Sequence, residues 1–204
     1  MTNQCRNGND EKAAALGRDL VVVSGPSGVG KTTVCEAVAR RTGIRISISA
    51  TTRPMRPGEK DGVDYHFVTR QEFQRRVEAG RFAEWAEVFG RLYGTPLEEI
   101  ERAGRRGEML ILEIDVQGAV QIKKRFPEAL AILLLAPDPQ ALRSRLSGRG
   151  TEAPEEAEAR FAKARAEVEM ARRSGCYDAE VVNDDLPAAI ENVVKLVQAR
   201  RKQT

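Results

Sequence analysis

The sequence predicts an α/β fold, with a parallel sheet core and helices on both faces. Three observations predict it. Short apolar segments recur along the chain, helical periodicity follows most of them, and a glycine-rich loop joins the first strand-like segment to the first helical one. Continuous apolar strands are typical of sheets that are buried on both faces. Strands that alternate with helices indicate parallel pairing.

The elements of this core can be placed in chain order. The first strand is expected at 20–23, and residues 32–41 are expected to form a helix with Val34 and Val38 facing inward. Further strands are expected at 44–48, 109–114, 129–136 and 181–182. Further helices are expected at 116–125, 138–147 and 187–202.

Two segments differ from this alternation. Residues 49–95 are rich in Arg, Gly, Tyr and Phe, with short strand-like pieces and one clear helix at about 70–79. This composition indicates a small mixed lobe inserted into the core. Residues 149–174 are rich in Glu, Ala and Arg, with oppositely charged pairs four residues apart, which support a helix. That helix is either a mobile lid or a solvated surface element, and composition does not separate the two.

We therefore expect one domain over residues 19–204, preceded by a flexible polar tail at 1–18. The domain divides into a core at 19–48, 96–148 and 175–204, the inserted lobe at 49–95 and the helical lid at 149–174. A typical domain holds roughly 100–150 residues, so a chain of this length fits one domain with lobes.

Composition excludes several classes of protein. The 33 basic and 30 acidic residues leave a net charge of +3, which does not indicate a nucleic-acid partner. The longest apolar run, 130–136, is far shorter than the roughly 18 residues of a membrane span. The N-terminal residues lack the apolar segment of a secretory signal. Three widely spaced cysteines favour a reducing cytoplasm over a disulfide framework.

A phosphate-binding loop is the strongest motif. Residues 25–32 read GPSGVGKT and match G-x-x-x-x-G-K-[ST] in full, between a predicted strand and a predicted helix. The glycines let several N–H groups point at one anion, and the helix N-terminus favours negative charge. Lys31 can reach the β- and γ-phosphates, and the Thr32 hydroxyl can hold Mg²⁺. The motif predicts an ATP- or GTP-binding protein. The guanine-reading N-K-x-D motif of GTPases is absent from the sequence.

A second anion site is expected in the loop at 49–58. Arg53 and Arg56 lie three apart on a segment with two prolines and a glycine, after several hydroxyl residues. Two arginines on a constrained loop suit a phosphate, although a solvated basic loop explains the pattern equally well. Glu113 and Asp115 end an apolar strand, where a metal-binding carboxylate is expected. Their spacing does not decide which of them serves the metal; we favour Asp115.

These motifs together resemble the guanylate kinases, which phosphorylate GMP with ATP. The phosphate loop, S-x-S-x-TTR-x-x-R-x-G-E, D-Y-x-F, E-W, Y-G-T, L-E-I-D-x-Q-G, G-R-G-T and V-N-D-D occur in order over roughly 19–200. The resemblance implies a P-loop nucleoside monophosphate kinase fold, in which the lobe at 49–95 binds GMP. It also implies Mg²⁺ as cofactor, with ATP and GMP or dGMP as the binding partners.

The resemblance assigns roles position by position. The GMP phosphate would be held by Ser49, Arg53, Arg56, Tyr65 and Tyr93, and the guanine base by Glu84, Thr95 and Asp115. ATP would be bound by Gly25, Pro26, Ser27, Gly28, Val29, Gly30, Lys31, Thr32, Thr33 and Asn183. The catalytic charges would be Lys31, Arg53 and the lid arginines Arg149 and Arg160. The metal would lie at Thr32, with Asp115 acting through water.

Guanine presents two adjacent donors, N1–H and N2–H₂, which one ionised carboxylate such as Glu84 can accept. The sequence therefore predicts selection of GMP over AMP. Two other functions remain open. One is a kinase for another nucleoside monophosphate. Glu84 and Thr95 are the residues that distinguish this function from GMP phosphorylation. The other is a non-catalytic guanylate kinase-like protein-binding module, against which the intact Lys31 and Thr32 argue.

Overall fold

The computed structural model describes residues 8–147 and 154–202, and a parallel sheet of five strands lies at its centre. In order across this sheet the strands are β2 (Arg45–Ile46), β7 (Leu110–Ile114), β1 (Leu20–Ser24), β8 (Leu130–Leu135) and β9 (Ala179–Val182). All four neighbouring pairs are parallel. The predicted α/β class is confirmed.

Helices pack on both faces of this sheet. The helices are α1 (Gly8–Arg18), α2 (Lys31–Thr42), α3 (Arg70–Glu78), α4 (Leu97–Arg105), α5 (Val116–Arg125), α6 (Pro139–Ser147), α7 (Pro154–Ser174) and α8 (Leu186–Arg201). Val21 and Val23 of β1 join the apolar cluster that contains Val34 of α2, whereas Leu20 and Val22 join the opposite cluster. Successive side chains of a strand point to opposite faces, which is why this strand is apolar throughout.

A second, smaller sheet forms most of the segment expected as an inserted lobe. Its strands are ordered β4 (His66–Phe67), β3 (Ala50–Thr51), β6 (Arg91–Pro96) and β5 (Phe82–Val88). It has its own small core, in which Phe73 of α3 stacks on Phe82 with ring centroids 4.4 Å apart. This separate core holds the β5–β6 hairpin, which carries residues of the site.

The N-terminal segment differs from the expectation of a flexible tail. Helix α1 begins at Gly8, and the partly buried Ala13 and Leu16 pack against the core cluster that contains Ile100 of α4. Residues 1–7 lie outside the described residues. Helix α4 itself was not predicted, because its charged residues hide the apolar positions Ile100 and Ala103. Within the described chain, no helix is both long and apolar enough to cross a membrane.

Candidate active site

The phosphate loop lies between β1 and α2, where the sequence places it. Gly25 has a φ of 154°, and a Cβ there would lie 2.2 Å from the carbonyl oxygen of Leu134. Gly30, immediately before α2, has a φ of 90°, and a Cβ there would lie 2.8 Å from Asn183 Nδ2. Both positions therefore require glycine, and the loop keeps its backbone close to the sheet.

Lys31 bridges its own loop. Its Nζ donates to the carbonyl oxygens of Gly25 at 2.7 Å and Pro26 at 3.0 Å. Burial lowers the pKa of Lys31, while the negative charges of Glu113, Glu167 and Asp115 act in the opposite direction. The ammonium group is thus held beside the loop amides that would receive a phosphate.

Glu113 is the carboxylate that meets the loop hydroxyl. Thr32 Oγ1 donates to Glu113 Oε1 at 2.6 Å, because the β1–β7 register sets Val23 opposite Glu113. Burial raises the pKa of Glu113, and the Thr32 hydrogen bond and Lys31 oppose that shift. Glu113 is therefore the carboxylate in contact with Thr32, and the preference for Asp115 as the metal-side carboxylate stays a prediction.

Asp115 caps helix α5 instead. Its Oδ1 accepts from the Gly118 N–H at 2.7 Å, as is typical of an N-cap aspartate. Its Oδ2 is buried and has no hydrogen-bond partner among the described residues. Gly118 lies close to both Asp115 and Glu84. A Cβ added to Gly118 would lie 2.5 Å from Glu84 Oε2 and 3.4 Å from Asp115 Oδ1, so the two carboxylates are neighbours. A buried carboxylate oxygen left unpaired is costly, which favours a ligand or a bound water there.

The arginine loop packs against two tyrosines. The Arg53 guanidinium lies 5.4 Å from the ring centroid of Tyr65, and Tyr65 meets Tyr93 edge to face at 6.1 Å. Burial raises the pKa of Tyr65 to about 12, so its hydroxyl keeps its proton at neutral pH and can donate to an anion.

Glu84 and Thr95 form a buried pair on neighbouring strands. The Thr95 backbone N–H and its Oγ1–H donate to Glu84 Oε1 at 2.8 and 2.7 Å. Thr95 is fully buried beside Glu84, and its expected contact with the base stays a prediction. Burial raises the pKa of Glu84 to about 7, with a contribution from the charge of Asp115, whereas the bonds from Thr95 lower it.

A cleft of about 560 Å³ brings most of these groups together. The predicted site residues that line it are Gly25, Ser27, Lys31, Thr32, Ser49, Arg53, Arg56, Tyr65, Glu84, Tyr93 and Asp115. The remaining phosphate-loop residues, Pro26, Gly28, Val29, Gly30 and Thr33, complete the loop and the first turn of α2 beside it. The cleft therefore joins a phosphate loop to a buried carboxylate.

Two other expected residues lie elsewhere among the described residues. Asn183 donates from Nδ2 to the Val29 carbonyl at 2.8 Å and is 6% exposed, so it supports the phosphate loop from behind. Arg160 of α7 lies over the ring of Phe89, with its guanidinium carbon 5.5 Å from the centroid. Arg149 lies outside the described residues.

Comparison with known proteins decides the family. The family model described as guanylate kinase matches residues 17–200. The chain belongs to the guanylate kinase family. A guanylate kinase of Symbiobacterium thermophilum is 45% identical over 186 residues, covering 91% of this chain and 87% of that protein. A guanylate kinase of Gloeobacter violaceus is 47% identical over 179 residues, covering 87% and 86%.

A solved guanylate kinase agrees in structure as well. The crystal structure of guanylate kinase from Anaplasma phagocytophilum superposes with a TM-score of 0.70 at 32% identity, covering 88% of this chain and 84% of that one. The resemblance stated from the motifs and the kinase fold it implies are confirmed.

Two cleft residues were missed as site residues from the sequence. Glu59 was noticed only as the last letter of a motif, and Glu167 of α7 was one of many glutamates in a helical segment. Glu167 is 8% exposed, lines the cleft and accepts a hydrogen bond from the backbone of Ser27 in the phosphate loop. No periodicity distinguishes it, because its neighbours Glu169 and Arg173 form an ordinary surface pair.

Proposed function

We propose that this guanylate kinase transfers the γ-phosphoryl group of ATP to GMP, giving ADP and GDP. One observation carries the proposal: the phosphate loop with Lys31 and the buried carboxylate of Glu84 line the same cleft. A donor triphosphate and a guanine base could therefore be bound at once. Membership of the guanylate kinase family supports the same assignment.

The base would be read by Glu84. One carboxylate oxygen is already held by Thr95, which fixes the orientation of the group for an incoming ligand. Guanine brings two N–H donors to a carboxylate, whereas adenine would present the lone pair of its N1. An unpaired buried polar group costs about 1–3 kcal/mol, and more when it is charged. GMP is therefore favoured over AMP.

The acceptor phosphate would lie among Ser49, Arg53, Arg56, Tyr65 and Tyr93. All five line the cleft, and together they offer two guanidinium groups and three hydroxyls. Guanidinium groups bind phosphate oxygens in pairs. This phosphate is already an ionised nucleophile, so the protein needs little general-base chemistry and acts mainly by alignment and by neutralising charge.

In the transfer step, an oxygen of the GMP phosphate forms a bond to the γ-phosphorus. The bond from that phosphorus to the β–γ bridging oxygen breaks, and its electron pair leaves with ADP. Lys31 and the loop N–H groups would bind the β- and γ-phosphates, while Arg53 and the lid arginines Arg149 and Arg160 would neutralise the transferring group. An arginine at this step contributes about 10³-fold or more in related P-loop systems.

Mg²⁺ fits the side chains beside the loop. Thr32 Oγ1 and Glu113 Oε1 lie 2.6 Å apart, and oxygen ligands of this kind suit Mg²⁺ together with nucleotide phosphates. Asp115 Oδ2, buried and unpartnered among the described groups, is a further oxygen for a metal-bound water. When bound, the ion would offset phosphate charge and orient the polyphosphate. Thr32 and Glu113 would hold it there.

We also propose that the protein acts in the cytoplasm. Cys35 is a buried free thiol and Cys176 is also free, and unpaired cysteines are typical of the reducing cytoplasm.

The test is ADP release from ATP and Mg²⁺ with GMP, dGMP, AMP, CMP and UMP in parallel. We expect turnover with GMP, or with GMP and dGMP, and its loss in Lys31→Ala. Preference for another nucleotide would support the role of the phosphate loop in binding ATP but would refute the claim that the acceptor site recognises guanine. ATP binding without turnover on any acceptor would favour a non-catalytic binding module.

A further inference from the structure

The loop between β3 and β4 carries a carboxylate, Glu59, to which the proposed reaction assigns no role. Its Oε2 and Oε1 accept from Arg53 Nη1 at 2.9 Å and Nη2 at 2.7 Å. Its Oε2 also accepts from the backbone N–H of Arg56 at 2.7 Å. The Glu59 N–H in turn donates to the Arg56 carbonyl at 3.1 Å. One residue thus connects both arginines of the loop.

Arg53 is fixed from other directions too. Its Nη1 donates to the Pro54 carbonyl at 2.8 Å, and its guanidinium carbon lies 5.4 and 5.7 Å from the ring centroids of Tyr65 and Phe67. Only 13% of the Arg53 side chain and 19% of the Glu59 side chain are exposed. A bidentate, shielded pair of this kind is stronger than an ordinary surface ion pair.

Apart from a side-chain hydrogen bond with Tyr93, the bonding pattern leaves one edge of Arg53 for a ligand. The bonds to Glu59 and Pro54 use both Nη1 protons and one Nη2 proton. The Nε–H and the second Nη2 proton share another edge of the planar guanidinium, and two such N–H groups match two oxygens of a phosphate. Arg53 and Arg56 both line the cleft that contains Glu84.

We propose that Glu59 is a positioning residue, which holds Arg53 and the backbone of Arg56 in the orientation that receives the acceptor phosphate. The inference rests on the proposed function, because the phosphate is that of GMP. A guanidinium that is already fixed loses less side-chain freedom when the ligand binds. Glu59 would therefore strengthen phosphate binding without touching the phosphate.

Charge alone predicts the opposite effect. Hydrogen bonds from Arg53 and from the Arg56 backbone lower the pKa of Glu59 to about 2, so it is an anion at neutral pH. Removing an anion from the neighbourhood of a phosphate site strengthens the attraction of that site for phosphate. A Glu59 that merely competes with the phosphate would weaken GMP binding, whereas a positioning Glu59 strengthens it.

The experiment compares Glu59→Gln and Glu59→Asp with the full-length wild-type chain. Calorimetric titration gives the affinities for GMP and for guanosine, which lacks the phosphate, and steady-state assays give KM for GMP and ATP. Glu72→Gln is the matched control, because Glu72 pairs with Arg75 and Arg76 on the solvent-accessible face of helix α3. Thermal unfolding verifies that each variant folds.

For Glu59→Gln we expect GMP affinity to fall about tenfold, with KM for GMP rising in parallel. Guanosine affinity and KM for ATP stay near wild type, Glu59→Asp is intermediate, and Glu72→Gln is unchanged. Equal or tighter GMP binding by Glu59→Gln would overturn the inference, as would equal losses for GMP and guanosine. A wild-type chain without GMP turnover would refute the proposed function, while the two affinities would still decide the role of Glu59.

Discussion

Thr95 directs two donors, its hydroxyl at 2.7 Å and its backbone N–H at 2.8 Å, at a single oxygen of Glu84. The two residues are partners in the β5–β6 register, so the contact is built into the hairpin. Glu84 is 5% exposed, and a buried carboxylate needs such donors. The hairpin therefore supplies part of what the ionised carboxylate requires, and a guanine base would supply the rest.

Thr95→Val should weaken GMP binding while preserving the shape of the site. The change removes the hydroxyl donor, which moves the pKa of Glu84 further upward and leaves the carboxylate less satisfied. We expect about a tenfold rise in KM for GMP, in line with the loss of one hydrogen bond to a charged group. Thr42→Val, which removes a half-buried hydroxyl bond to the Val38 carbonyl at the end of α2, is the control. An equal effect of both changes on KM would contradict the account.

Guanosine binding should release protons near neutral pH. The pKa of Glu84 is raised to about 7 in the free protein, and guanine N–H donors favour the ionised form, so binding lowers that pKa. Affinity should rise with pH up to about 7 and level off above it. Calorimetry in two buffers of different ionisation enthalpy measures the released protons. Guanosine avoids the titration of the GMP phosphate.

Glu84→Gln should abolish this proton release, and unchanged release would contradict the assignment.

The same raised pKa has a consequence for stability. The folded protein retains a proton on Glu84 that the unfolded chain loses near pH 4.5, so the contribution of Glu84 to the free energy of unfolding falls as pH rises from there through about 7. Glu84→Gln should remove that slope, as urea unfolding at pH 5 and pH 8 would show.

Glu113→Gln and Asp115→Asn should have different effects on metal dependence. Glu113 contacts the loop hydroxyl, so we expect Glu113→Gln to raise the Mg²⁺ concentration needed for half-maximal activity by roughly 10-fold or more. Asparagine also caps helices well, so Asp115→Asn should fold normally and keep the Mg²⁺ dependence near wild type. Mg²⁺ titrations of activity at saturating nucleotide measure both. If only Asp115→Asn raised the Mg²⁺ concentration needed for half-maximal activity, Asp115 and not Glu113 would be the main metal-side carboxylate.

Local patterns explain what the sequence could predict. The phosphate loop combines a contiguous motif with its strand and helix, and the apolar strands are visible from their neighbours alone. Helix α5 occupies the predicted bounds, Val116–Arg125. The strand predicted at 44–48 shortens to Arg45–Ile46, because pairing with β7 ends at Ile111 and the chain then turns towards the smaller sheet.

Tertiary contacts explain what the sequence could not predict. The sequence of residues 8–18 is typical of a polar tail, and only the packing of Leu16 against the core shows that this segment belongs to the fold. Glu113 and Asp115 are two residues apart, so a strand would place both on the same face. Only the start of helix α5 makes Asp115 the N-cap residue of that helix. The bond between Glu59 and Arg53 depends on how a loop folds back on itself, which residue spacing does not reveal.

The most direct test of the account is the discrimination between GMP and AMP by the wild-type chain and by Glu84→Gln. Glutamine keeps the size of the side chain but replaces one guanine acceptor with a donor. We expect kcat/KM for GMP to fall by ~100-fold or more, with KM for ATP unchanged and little change for AMP. The preference for GMP over AMP should therefore nearly disappear. A Glu84→Gln variant that retains the wild-type preference would contradict the claim that this buried carboxylate reads the base.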